Sequence, residues 1–373
     1  MVVIAPPATY VDRWCEYFRE LGWQVDWITY GIPGDGAIAH IPEVGGRRWT
    51  EPLRLARASR RTRRLLAELR PDLVHAHWFT GPAWIMSIVR GRPFIATVWG
   101  SDVLRFAGTT RFRRLVARMV GRTAAAITYD ADLLADALVS LGLPRASMHR
   151  IVFGADAELF VASPPDRAFL RQLGVSNDDP VVLFMRGLDA VYEPETVIRG
   201  FAEALRERPC NLLIRSDHPH SAGQLATASA KSNWSRLQPI IESLGIGDRV
   251  FPYTSVDRQD LPRLLCASDI FLSVSNSDGT SVALLEALFC ETPVVVSDLP
   301  ANREWILDEG FGEIVPVGDA TALGRAILGI LSSPDAAREA AARAGAHARE
   351  HGDAAKEFAR ARDLSLSILN RSG

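Results

Sequence analysis

Short runs of four or five apolar residues, separated by longer stretches that are apolar on one side only, recur along nearly the whole chain. Runs of this length bounded by turn residues read as buried strands, and the intervening stretches, with apolar positions three and four apart, read as helices. In the first half the pattern predicts strands at 2–5, 25–29, 73–77, 94–98, 124–129 and 148–152. Helices fall at 10–21, where Gly22 ends the first of them, at 54–70, 82–89, 110–121 and 132–141. Residues 30–52 are rich in glycine and proline and read as a long irregular loop.

A polar connector at 157–179, with Ser163-Pro164-Pro165 and Asn177-Asp178-Asp179-Pro180, separates this series from a second. Strands are predicted there at 181–184, 211–214, 250–251, 270–274, 293–296 and 313–315, and helix dominates from Pro334 to about 368. Strand and helix in strict alternation mean parallel sheets, so the fold class is α/β with two Rossmann-like domains.

Composition agrees with that reading: 373 residues suit about two domains, with 47% hydrophobic and 23% charged residues. No apolar run is long enough to span a bilayer, and the amino terminus reads as a strand, which leads to a cytoplasmic expectation. Cys15, Cys210, Cys266 and Cys290 are far apart in sequence and read as reduced packing residues. Charge is uneven: residues 1–162 hold 21 basic against 15 acidic residues, net +6, and the remainder is net −8. Arg54, Arg57, Arg60, Arg61, Arg63, Arg64 and Arg70 cluster in one helix. A solvated face is the simple explanation, and peripheral contact with an anionic membrane the sharper one. A slightly negative total and the lack of an aromatic–basic motif argue against a nucleic-acid partner.

The most informative segment is 270–305. Its apolar run stops at Asn276-Ser277-Asp278-Gly279-Thr280-Ser281, a helix starts near Ser281, and a second apolar run follows Pro293. In parallel sheets ligands sit beyond the carboxyl ends of the strands, where helix starts offer unpaired N–H groups to anions. Asp278 in the loop and Glu286 in the helix put two carboxylates at that place.

This segment resembles the nucleotide-binding core of the family 4 glycosyltransferases, retaining enzymes of the two-domain GT-B fold. Two acids with seven residues between them, a helix, and a Gly/Pro turn into an apolar strand carry the resemblance; the Ser-Asp-Gly-Thr-Ser form, with Asp278 for the commoner glutamate, looks like a subgroup variant. The resemblance implies two Rossmann-like domains whose sheets face a central cleft. It assigns 1–162 plus a returning helix at 356–373 to the amino-terminal domain, and 163–355 to the nucleotide-binding one. The implied reaction moves a sugar from a nucleotide-sugar, UDP-sugar by default, to a hydroxyl acceptor, with no further cofactor and no metal. A nucleotide-sugar epimerase, a phosphorylase and an inactive partner subunit are the alternatives on the same fold.

The resemblance also carries roles. Asp278 would contact the donor sugar and Glu286 the ribose; Arg186 would grip phosphate; and Gly279, Thr280, Ser281 and Val282 would present N–H groups to sugar and phosphate. Ser281 doubles as a helix N-cap. Where relatives carry a lysine five or six residues after the arginine, this chain has Val191 and Tyr192, whose hydroxyl is left to donate to phosphate. Where many relatives carry a histidine, it has Trp99, which makes Asp102 the candidate for sugar or acceptor contact, with turn formation as its other role. Glu304 matches a less uniform acid, and Gly154 and Asp156 match a domain-junction turn. From spacing alone, His75 and His77 share a strand face without a third metal ligand, and Asp130-Ala131-Asp132 reads as helix capping.

Overall fold

The computed structural model describes residues 1–372 except positions 32, 35, 44–50, 105–109, 217–223, 255 and 309. The chain divides into two compact units, one built from Met1–Phe153 with the segment from Lys356, the other from described residues between Gly154 and Ala355. The boundary falls at Gly154, ahead of the polar connector at 157–179 and of the division at 162/163 that the resemblance implies.

The first unit is a seven-stranded sheet of β1 (Val2–Ala5), β2 (Asp26–Gly31), β3 (Ala39–Pro42), β4 (Val74–His77), β5 (Phe94–Thr97), β6 (Ala126–Tyr129) and β7 (Met148–Arg150). Their order is β3-β2-β1-β4-β5-β6-β7 and every pairing is parallel. The second unit has β8 (Val181–Phe184), β9 (Asn211–Arg215), β10 (Val250–Tyr253), β11 (Ile270–Ser273), β12 (Val294–Ser297) and β13 (Glu313–Val315), in the order β10-β9-β8-β11-β12-β13. These pairings too are all parallel. The central strands β1, β4, β5, β8, β11 and β12 are buried at every position, as strands covered on both faces must be.

The sequence pattern misses β3, which lies inside the stretch read as an irregular loop. Of its four residues only Ile41 is buried, and Pro42 ends it, so this edge strand leaves no hydrophobic signature. Helix Glu51–Leu69 carries the arginine cluster except Arg70, which lies just beyond it at φ +48°. A further helix, Gln224–Leu244, has Pro239 inside it and was not legible as a periodic segment.

Gly154 shows why the second unit begins where it does. Its φ is +67°, and a Cβ there would lie 2.6 Å from both the Ala354 nitrogen and the Gly352 oxygen. The close approach lets Ala155 donate to the Gly352 carbonyl and accept from the Ala354 N–H, each at 2.9 Å. In the first unit Glu357 of helix Ala354–Ser372 accepts from the Val152 N–H at 2.9 Å, and Phe358 packs edge-on against Trp14, centroids 5.1 Å apart.

Candidate functional site

In each sheet the strand order reverses once, between β1 and β4 and between β8 and β11. Chain segments leave the two strands at such a point in opposite directions, opening a crevice at their carboxyl ends. In the second unit β8 ends at Phe184 and Arg186 follows two residues later; β11 ends at Ser273 and the loop to Ser281 follows. The crevice rim is fastened by hydrogen bonds. Ser275 N–H donates to Ser297 Oγ (2.8 Å), Asn276 N–H to the Val191 carbonyl (2.8 Å), and Asn276 Nδ2 to the Ala190 carbonyl (3.3 Å).

Arg186 is the centre of this rim. Its Nη2 lies 2.6 Å from Asp278 Oδ2, its Nη1 donates to Ser281 Oγ, and its guanidinium sits over the Tyr192 ring, 4.4 Å from the centroid. The arginine side chain is only 11% exposed and the aspartate 21%. Burial works to lower the arginine's pKa, but the Asp278 charge and Tyr192 outweigh it and move it up, so the guanidinium stays charged. Arg186, Asp278, Ser281 and Tyr192, assigned separately from the sequence, are therefore one cluster. Tyr192 serves it with its ring face, as a cation–π platform beneath the arginine.

Ser281 also caps helix Val282–Phe289, accepting from Leu284 N–H at 3.2 Å. Gly279 N–H is turned onto Asp278 Oδ1 (3.1 Å), and Thr280 accepts from Trp305 Nε1 (3.4 Å). Positions 279–282 thus form a loop pinned at both ends, leading into the positive end of a helix.

Glu286 lies one turn into that helix and is 8% exposed, so it is no solvated surface acid. Its Oε1 is 3.4 Å from Arg258 Nη1, and Arg258 Nη2 is 3.4 Å from Asp156 Oδ2. The guanidinium lies over the Phe160 ring, 5.3 Å from its centroid. Arg258 was missed by sequence reasoning: in Asp257-Arg258-Gln259-Asp260 it looks like any polar turn. Asp156 holds the junction turn as well, accepting from the Glu158 and Leu159 N–H groups.

The matching crevice of the first unit has a different character. Asp102 is fully buried, accepting from Phe79 N–H at 2.6 Å and from Trp99 N–H at 3.0 Å. Burial pushes its carboxyl up to about 6 despite these donors. Both oxygens are committed to backbone and neither is exposed, which gives Asp102 the turn-forming role rather than contact with sugar or acceptor. His75 and His77 share a face, as their spacing requires, with ring centroids 4.4 Å apart. His75 Nε2 meets Thr97 Oγ1 at 2.6 Å, Thr97 meets Thr128 Oγ1 at 2.7 Å, and Trp99 Nε1 donates to His77 Nδ1 at 3.3 Å. Burial drives the His75 imidazole down to about 3 and that of His77 well below its usual value, the latter helped by His75. Both are neutral core residues.

Asp132 does not cap its helix: Ala131 holds the N-cap position, and Asp132 sits in the first turn, 3.2 Å from Arg145. Glu304 ends helix Pro300–Arg303, its carbonyl 3.2 Å from His347 Nε2. Among the described residues no group of three His, Cys, Asp or Glu side chains is placed to hold a metal ion. Nor is any described helix long and apolar enough to cross a membrane.

Residues 166–351 match the family described as glycosyl transferases group 1, and residues 3–130 match the family described as glycosyl transferase 4-like. A D-inositol 3-phosphate glycosyltransferase of Kineococcus radiotolerans is 27% identical over 271 residues, 69% of this chain and 60% of that protein. A GDP-mannose-dependent phosphatidylinositol monomannoside mannosyltransferase of Mycolicibacterium smegmatis is 25% identical, over 59% of this chain and 56% of its own length. The match thus takes in less than two thirds of either relative. Among solved structures, sucrose-phosphate synthase of Thermosynechococcus elongatus superposes with a TM-score of 0.79 at 19% identity, covering 99% of both chains. Anabaena HepE in complex with UDP superposes at 0.76 and 18% identity, over 98% of this chain and 99% of that one.

Proposed function

The chain belongs to the family 4 glycosyltransferases of GT-B fold, and from that premise we propose that it transfers a sugar from a nucleotide-sugar to a hydroxyl acceptor with retention of configuration. The observation that carries this reading is the Arg186–Asp278–Ser281–Tyr192 cluster at the switch point of the second sheet. A guanidinium at a strand's carboxyl end, facing a helix start, is placed to bind a diphosphate. As the bond from sugar C1 to the phosphate oxygen breaks, negative charge grows on that oxygen, and fixed donors stabilise it where it develops. The acceptor oxygen bonds to C1 from the same face, and its proton passes to the departing phosphate oxygen. Asp278 steadies the arginine and meets the sugar, while Glu286, oriented by Arg258, takes the ribose hydroxyls.

In this reading Arg186 and the N–H groups of 279–282 do the work a divalent cation does elsewhere, and the nucleotide-sugar is a co-substrate with no separate cofactor. UDP is the favoured nucleotide. GDP is the second reading, motivated by the donor in the name of the Mycolicibacterium relative. Arg54, Arg57, Arg60, Arg61, Arg63 and Arg64 are all exposed on helix Glu51–Leu69 and would suit an acceptor embedded in an anionic membrane.

Calorimetric titration with UDP, GDP, ADP and dTDP tests the reading. One nucleotide is expected to bind selectively, and Glu286→Ala to weaken it about 10-fold, the loss of one good hydrogen-bonding partner. Failure of all four to bind would sink the proposal in favour of an inactive partner subunit, and donor turnover without acceptor would favour an epimerase.

A further inference from the structure

At the end of the second sheet opposite to Arg186 lies a pocket of about 410 Å³, lined by residues that precede the strands, among them Pro180, Asp269 and Pro293. Two cysteines line it, Cys266 from helix Leu261–Ala267 and Cys290 from the end of helix Val282–Phe289. The sequence puts 23 residues between them, yet Cys266 Sγ lies 3.9 Å from the Cys290 carbonyl oxygen and 3.6 Å from that of Val161. The two differ in access. Cys266 is partly exposed to the pocket, whereas Cys290 is buried.

We infer that Cys266 and Cys290 form a redox-active dithiol, reached through this pocket by a low-molecular-weight disulfide. Cys266 is the attacking thiol. The Cys290 side chain draws its pKa down to about 6, with burial opposing, Ser163 assisting and the Glu291 charge opposing. The neighbouring Cys266, together with burial and the Glu286 charge, holds the Cys290 proton in place, against the pull of Arg349. At the pocket wall Arg208 and Arg338 are balanced by Asp269 and Glu291, so the lining sets no charge requirement on the reagent.

The thiolate of Cys266 attacks one sulfur of the reagent; the reagent's S–S bond breaks, and the departing thiolate takes a proton from solvent. Cys290 then loses its proton to solvent and attacks the Cys266 sulfur of the mixed disulfide, releasing the second reagent thiol. Two protein thiols are oxidised to one disulfide, and one reagent disulfide is reduced to two thiols.

Closing the disulfide ties helix Leu261–Ala267 covalently to the end of helix Val282–Phe289. Cys290 N–H bonds the Glu286 carbonyl at 3.1 Å, so a shift at Cys290 pulls on the last turn of helix Val282–Phe289. That the pull matters for nucleotide binding rests on the function proposed above; the pull itself does not.

Treating the native full-length chain with oxidised glutathione, then alkylating free thiols and mapping peptides by mass spectrometry, tests the inference. A Cys266–Cys290 linkage is expected, with Cys15 and Cys210, buried thiols pushed up to about 12, left free for alkylation after unfolding. C290A should stop at a glutathione adduct on Cys266, with the pH midpoint of the reaction moved up from about 6 toward that of an ordinary thiol, and C266S should not react. Hydrogen exchange at residues 286–290 should rise in the oxidised wild type. No reaction in the native protein, equal labelling of all four cysteines, or an unmoved midpoint in C290A would overturn the dithiol. Unchanged exchange alongside a mapped disulfide would overturn the transmitted strain.

Discussion

The two switch points occupy the same place in two sheets of the same order, and they treat buried polar groups in opposite ways. Beyond β8 and β11, Arg186 keeps its charge because Asp278, Ser281 and Tyr192 surround it, and Glu286 is matched by Arg258. Within β4, at the first unit's switch point, and just after the neighbouring β5, burial removes charge instead: His75 and His77 are pushed toward neutrality, and the Asp102 carboxyl is pushed up. Topology provides a crevice in both units. Whether it becomes a charged site depends on whether the following loops bring counter-charges.

The sharpest way to break the comparison is to remove the charge that defines the second crevice. Arg186→Ala should lower sugar transfer at least about 100-fold, the scale for losing one fixed donor to a developing charge. Arg186→Lys should rescue little, since an ammonium cannot bond Asp278 and Ser281 through a planar fork. Transfer rates on the donor selected by titration would show this. In the first crevice, Asp102→Ala should leave two buried backbone N–H groups without their acceptor, at a cost of about 2–4 kcal/mol in stability. Chemical denaturation reads it, and a variant of unchanged stability but lost transfer would instead return Asp102 to a substrate role.

Acid sharpens the contrast further. The folded-state pKa values of His75 and His77 lie below the unfolded value of 6.5, so the stability they preserve is complete above that value and is lost as pH falls toward 3. Asp102, raised to about 6, works the other way, because the folded chain holds its proton more tightly between 6 and 3.8. The histidine displacement is the larger, so a net loss of about 1–3 kcal/mol is expected between pH 7 and 5. Thermal melts would detect it, and replacing both histidines with glutamine should flatten the dependence. The smallest effect is expected from Tyr192→Leu: removing the platform under Arg186 should weaken nucleotide binding about 3- to 5-fold, the worth of one partly buried cation–π contact.

The same contrast explains what the sequence could disclose. The buried strands were legible because parallel sheets covered on both faces demand continuous apolar runs; β1 and β8 fall at the expected residues. Ser281 was legible as a cap because capping is local. Asp278 and Arg186 are 92 residues apart, and only tertiary structure makes them partners. Arg258 meets Glu286 across 28 residues and leaves no pattern at all. Asp102 stood between two roles for a related reason: an acid just after a strand reads alike whether its oxygens face solvent or close a turn. Edge strand β3 buries too little to leave a trace.

The paired hydrogen bonds around Ala155 make the second unit a nested insert. Its entry at Gly154 and its exit near Ala354 are bound side by side, while in the first unit Val152 is tied to Glu357 across what would be the cut. Each body therefore has its two ends closed on themselves. A chain engineered to run directly from Val152 to Glu357 across a short linker should spare the first sheet, and the excised segment could be circularised without spanning a gap.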